Sequence, residues 1–202
     1  MRRKKSGAAA ALLGAIAEAE AKTTAQGEED LNALKELLKQ FLQKDNSPER
    51  AALKREYDLG CPLTGPVGLR RKLGAIDMEF FGRSYFPHYF SRPSPEFHRE
   101  LDNIWQQGVL KGRAPLTPAA AREINRLPGV RRVVAAPRGH AKSTNLTFKG
   151  TMHSALYEYK HYPIIISDSS DQAEGFLDNI RVEFEENGAI RADFGDLAGP
   201  VW

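Results

Sequence analysis

Leu31, Leu34, Leu38 and Phe41 recur at steps of three and four, with Leu37 and Leu42 widening the stripe. That spacing predicts one amphipathic helix face, which ends at Asp45. Ser47-Pro48 joins a capping side chain to a proline whose missing N–H costs nothing in a first turn, so a second helix should run from there to Gly60. Over 66–81 a single helix is expected, with Leu69, Leu73, Ile76 and Phe80 on one side. An aromatic cluster follows (Phe80, Phe81, Tyr85, Phe86, Tyr89 and Phe90), broken by Pro87 and closed by Pro93. Ser94-Pro95 opens another helix carrying Phe97, His98, Leu101, Ile104 and Trp105, with Gly108 as its end. Thr117-Pro118 opens a short one that stops before Pro128-Gly129.

The pattern changes at residue 130. Val130 and Val133 to Ala136 form a short apolar run of strand character, and a helix-compatible stretch follows the loop after it. Tyr162 to Ser167 is a β-branched run of strand length. Ser169-Ser170-Asp171 then starts a helix with Ala173, Phe176, Leu177, Ile180 and Phe184, ending at Asn187-Gly188. Strand, loop, helix, strand, helix is the opening of an α/β fold. The expected architecture is therefore a tail and linker (1–29), a helical lead-in (30–128) and the first part of an α/β core (129–202).

Composition narrows the class. The chain has 202 residues, 29 Lys+Arg against 26 Asp+Glu, 41% hydrophobic and 27% charged residues, which fits a globular protein and excludes a wholly disordered or collagen-like one. Cys61 stands alone, so there is no intramolecular disulfide framework or Cys-rich zinc site. No stretch reaches the roughly 18–20 apolar residues that cross a bilayer. Arg2, Arg3, Lys4 and Lys5 ahead of an Ala-rich stretch imitate a secretory signal, but Glu18 and Glu20 sit where a cleavage region should be neutral. An Ala-rich helix with a basic tip is the reading adopted, and a cytoplasmic setting is expected. The balance of charge tolerates an anionic partner without demanding one.

The segment that carries chemistry is Ala136-Pro137-Arg138-Gly139-His140-Ala141-Lys142-Ser143, followed by Thr144. The phosphate-loop template is Gly, four residues, Gly, Lys, then Ser or Thr. Here alanines replace both glycines, while Gly139, Lys142 and Ser143 remain. A strand leading into a compact loop and then a helix would turn backbone N–H groups and the positive helix end toward an anion. Lys142 would supply a point charge to the β- and γ-phosphates of ATP, and the Ser143 hydroxyl a ligand for Mg²⁺. Alanine at the glycine positions is tolerable only where φ stays negative. An ordinary strand–helix junction with a basic residue is the competing reading.

At these residues the chain resembles the large terminase subunits of tailed double-stranded DNA bacteriophages. Pro137 to Ser143 is similar to the deviant Walker A loop of that family, with an arginine just inside the loop and Lys-Ser at its end. Tyr85-Phe86-Pro87 through Phe97-His98-Arg99-Glu100-Leu101 resembles the helical lead-in. Ile164-Ile165-Ile166-Ser167, Gln172-Ala173, Glu185-Glu186-Asn187-Gly188 and Asp193-Phe194-Gly195 resemble the second strand and following helix, so the likeness covers about 80–202. It implies an ATP-hydrolysing motor that drives viral DNA into a capsid, built on a parallel-sheet P-loop NTPase core. It implies that Pro137 to Thr144 cradle the nucleotide and that Arg138 approaches the γ-phosphate as an arginine finger in cis, beside the catalytic Lys142. Implied partners are double-stranded DNA, the small terminase subunit, the portal and procapsid, and further copies of the full-length chain, with no membrane.

Other features of that chemistry are missing. Asp168, at the end of the 162–167 run, has no adjacent Glu and follows Lys142 by one helix, so it reads as a strand-end residue rather than the Mg²⁺ aspartate. No carboxylate set for a nuclease follows it. The resemblance thus implies the amino-terminal part of a longer motor protein, with an incomplete core, marginal stability and no turnover by itself. A helicase-like P-loop DNA translocase and a non-enzymatic helical adaptor remain open beside it. Asp193-Phe194-Gly195 matches a kinase metal triplet without its companion motifs. His98 reads as a packed core histidine or a neighbour of the adenine, and Arg70-Arg71-Lys72 and Arg131-Arg132 as solvated faces or DNA-backbone contacts.

Overall fold

The computed structural model describes residues 26–110, 131–160 and 162–197. The expected helix at Thr117-Pro118 and the Ala-rich amino terminus lie outside them. The chain divides into two compact units, 1–41 and 42–202. Helix α1 (26–42) supplies the described part of the first, 26–41, with Leu34, Leu38 and Phe41 buried along one stripe. On its exposed side Lys39 pairs with Glu36 at 2.8 Å.

In the second unit α2 (Pro48–Asp58) begins with Pro48 in the first turn after Ser47, and Gly60, at φ +74°, turns the chain away after it. Where one helix was expected over 66–81 there are two, α3 (Leu69–Ile76) and α4 (Met78–Tyr85). Asp77 separates them. Its backbone is extended (φ −134°, ψ 107°), and its carboxylate accepts the Phe80 N–H at 2.9 Å, so it caps α4. The turn into α3 demands glycine at position 68, since a Cβ there would sit 2.4 Å from the Thr64 carbonyl carbon. Helix α5 (Glu96–Leu110) runs on past Gly108.

Next comes a central helix, wide-turned (π-helical) over Ser143–Gly150 and continuing as α6 (Thr151–Leu156). All residues of 148–154 are buried, so the middle of this helix is enclosed on every side. Phe148, Met152 and Leu156 meet Phe81, Tyr85 and Phe86 from the α3–α4 region. Ile180 and Ile190 join the same core from α7 (Ser170–Glu186) and α8 (Gly188–Phe194). Ser169 caps α7 through the Gln172 N–H, and Asn187 both ends α7 and caps α8. Gly150 allows the close approach of α5: a Cβ there would lie 2.7 Å from the Trp105 ring.

The expected α/β fold with a parallel-sheet P-loop core is not what forms. Among the described residues there is no strand; the unit is helical, joined by irregular segments. Of the two runs read as strands, 130–136 and 162–167, the described residues 131–136 and 162–167 are irregular, and no backbone hydrogen bond links 131–137 or 162–167 to another described residue. A β-branched run has strand propensity, but a strand exists only when a neighbour takes its N–H and C=O groups. Ile165 still packs on the helical core, whereas Val133 and Ile166 stand 98% and 90% exposed. No helix among the described residues is long and apolar enough to cross a membrane.

Candidate functional site

The loop 137–141 connects the irregular 131–136 segment to the central helix, which starts at Lys142. Two residues of the loop have positive φ: Gly139 at +80° and Ala141 at +48°. Of the two alanines at template glycine positions, only Ala141 therefore adopts the left-handed conformation that disfavours a side chain. Ala136 does not, and meets the condition set by the sequence; Ala141 fails it.

The Lys142 ammonium folds back across the loop. Its Nζ donates to the carbonyl oxygens of Ala136 (2.5 Å) and Pro137 (2.6 Å), tying the start of the loop to its end. An ammonium has three donors, so one N–H is left for a further acceptor. Within the loop the N–H groups of 139–143 make no backbone hydrogen bond to another described residue. A run of open amides, a lysine beside it and the start of a helix are the elements from which phosphate sites are built.

The other candidates fall around this turn. Ser143, the first residue of the wide helical turn, is exposed, and Thr144 is half-buried. Arg138 is exposed and makes no ion pair with another described residue; its carbonyl accepts from the His140 ring Nδ1 at 3.1 Å. His98 lies neither in the core nor free in solvent. Its Nε2 sits 3.0 Å from the His140 carbonyl, so α5 braces the loop from outside, and Phe97 meets the His140 ring edge-on at 5.9 Å. The Asp193 of the kinase-like triplet is fully buried, held by Arg70 and the Tyr85 hydroxyl at 2.6 Å each.

Sequence reasoning missed a polar cluster directly under the loop. Lys149, on the central helix, is buried, and its Nζ lies 2.6 Å from Asp102 Oδ1 on α5. Asn145 Nδ2 donates at 3.3 Å both to Asp102 Oδ1 and to the His98 carbonyl. Burial pushes the Asp102 carboxyl up and the Lys149 ammonium down, each against the attraction of the other. No signal in the sequence marks it, since Lys149 stands among the polar Thr147, Thr151, His153 and Ser154 and reads as part of an ordinary polar face.

A separate cavity of about 480 Å³ is lined by Trp105, Val109, Val134, Leu146, Tyr162 and Ile164 among others, and none of the residues 137–144 borders it. Among the described residues no group of three His, Cys, Asp or Glu side chains is placed to hold a metal ion. Comparison with protein-family models, with curated proteins and with solved structures finds no match to this chain.

Proposed function

We propose that Pro137 to Thr144 is a phosphate-binding loop for ATP and that the chain serves as the nucleotide-binding part of a DNA-packaging motor of the large-terminase kind. The observation that carries the first statement is Lys142 clasping the carbonyls of Ala136 and Pro137 beside open amides at a helix start. The second rests on the resemblance of 80–202 and inherits its partners, double-stranded DNA, the small terminase subunit and the capsid portal. No sheet enters the reading; the loop is held by helices.

Apart from Ala141, whose positive φ departs from the condition for alanine in such a loop, the residues fit the group. A phosphate above the loop would receive the amides of 139–143 and the remaining Lys142 N–H. The exposed Ser143 hydroxyl offers one oxygen to a Mg²⁺ whose other ligands would be phosphate oxygens and water; the ion would neutralise phosphate charge. Arg138, without an ion-pair partner among the described residues, is available to the γ-phosphate. Titration of the purified chain with a fluorescent ATP analogue and Mg²⁺ tests the reading. Saturable binding that falls at least roughly tenfold in Lys142→Ala is expected, the loss of a charge-assisted hydrogen bond. Equal binding by both proteins, or none by either, would favour the helical adaptor.

A further inference from the structure

Among the buried charges of the second unit, which also include Arg50, Asp77 and Glu79, two sets contrast. Around Asp193 every donor is matched: Arg70, Tyr85 and the Gly65 N–H all converge on one carboxylate. Around Asp102 the matching is incomplete. Among the described residues Asp102 Oδ2 and Asn145 Oδ1 are buried with no hydrogen-bond partner, and Lys149 Nζ has no polar partner beyond its ion pair with Asp102 Oδ1. A buried ion pair with unmet acceptors is a poor stabiliser, because desolvation offsets its attraction and a well-packed apolar pair does as well or better. Stability alone does not account for it.

Its position does. Asn145 lies one turn beyond Ala141, and its N–H donates to the Ala141 carbonyl at 2.9 Å. Its side chain holds α5 at the His98 carbonyl and at Asp102, and Lys149, one turn further on, grips the same Asp102 oxygen. The His98 ring in turn holds the His140 carbonyl. In a planar trans peptide the N–H points opposite to the C=O, so turning the His140 carbonyl toward α5 aims the Ala141 N–H away from it. The chain of contacts thus runs from a buried ion pair to the direction of an amide in the loop.

We infer that Asp102, acting through Lys149, Asn145 and His98, is a positioning residue that sets how strongly the loop holds phosphate without touching it. The inference rests on the phosphate-loop reading, but its structural half, control of the loop amides by Asp102, can be read without nucleotide. The double variant Asp102→Leu/Lys149→Met removes both charges and keeps the packing. Asn145→Ala removes only the link and serves if the double variant does not fold. Asp193→Asn, altered away from the loop, controls for general loosening.

Two readouts apply: the amide resonances of 139–143 by NMR, and the Kd for a fluorescent ATP analogue. The expected result is displaced loop amides and a Kd raised roughly tenfold, the size usual for a supporting residue behind a binding group. The Asp193→Asn control should leave both near wild type. Loop amides that superpose on wild type in a folded variant, with a Kd within twofold, would overturn the inference. If the wild-type chain binds no nucleotide, the phosphate reading falls and the amide shifts alone decide the positioning claim.

Discussion

Asp193 and Arg70 stand 123 positions apart in the chain and meet at 2.6 Å, Oδ2 to Nε, with the aspartate fully buried. The Tyr85 hydroxyl donates to the same oxygen, and Arg70 and the Gly65 N–H donate to the other. Arg70 also donates to the Ala189 carbonyl. One carboxylate therefore fastens α8 to α3, α4 and the turn before α3. Removing one partner of such a pair leaves an unmet buried charge, so Asp193→Ala should destabilise by about 3–5 kcal/mol. Urea unfolding of the variant beside wild type measures this. A loss under about 1 kcal/mol would mean that the network is looser than its geometry.

Gly150 sets the distance between α5 and the central helix. A Cβ at this position would lie 2.7–2.9 Å from three atoms of the Trp105 indole, a rigid ring rather than the end of a flexible chain. Gly150→Ala should cost about 1–3 kcal/mol by overpacking, although alanine is the better helix former. A thermal melt unchanged or raised by the substitution would refute the close contact. The Asp102–Lys149 distance would also stretch, so nucleotide affinity should fall with it.

Local physics was legible in the sequence, and partnership was not. Ser169 marks its helix start with a hydroxyl that accepts the Gln172 N–H, and Pro48 marks that of α2, although the Ser47 side chain expected to cap it makes no capping hydrogen bond. The Lys142 ammonium, expected to face phosphate, instead reaches carbonyls five and six residues back, a contact that the residue pattern did not announce. The 162–167 run shows the part played by partnership. Its Ile-Ile-Ile core has strand propensity, yet pairing is decided by what lies beside it, and the helical core takes Ile165 instead. Asp77 broke the expected 66–81 helix because its side chain serves a cap better than a mid-helix turn. Asp102 and Asn145 were invisible as a site because they come together across 43 residues.

The two alanines of the loop should respond in opposite directions to glycine. Ala141, at φ +48°, holds a conformation that costs an L-residue roughly 1–2 kcal/mol, so Ala141→Gly should gain about 0.5–1 kcal/mol after the greater freedom of the unfolded chain is set against it. Ala136 has no positive φ, and Ala136→Gly should lose about 0.4–1 kcal/mol. Paired urea midpoints decide the matter. If both substitutions destabilise, the loop does not hold Ala141 in the left-handed region in solution.

His153 should give the fold an acid-sensitive limb. It is fully buried among Phe81, Tyr157 and Tyr159, with ring centroids 4.9, 5.0 and 5.3 Å away, and its Nε2 lies 3.0 Å from the Gly74 carbonyl. That contact requires an N–H, which the neutral ring supplies. Burial pushes the pKa down to about 4, against the pull of the Gly74 carbonyl. The unfolded chain protonates its histidine near pH 6.5. Between pH 6.5 and 4 the unfolded state binds a proton that the folded state refuses, so stability is complete above pH 6.5 and falls as the pH drops toward 4. The loss attributable to this residue is about 3 kcal/mol across that window. His153→Gln keeps a donor for Gly74 and cannot titrate, so it should flatten that part of the stability profile while lowering stability at pH 7. Urea midpoints taken in steps from pH 7 to 4 for both proteins isolate the effect, because every other group titrates alike in the pair. Parallel profiles would show that the folded state admits a proton at His153, and that the cage of rings around it opens more readily than its packing indicates.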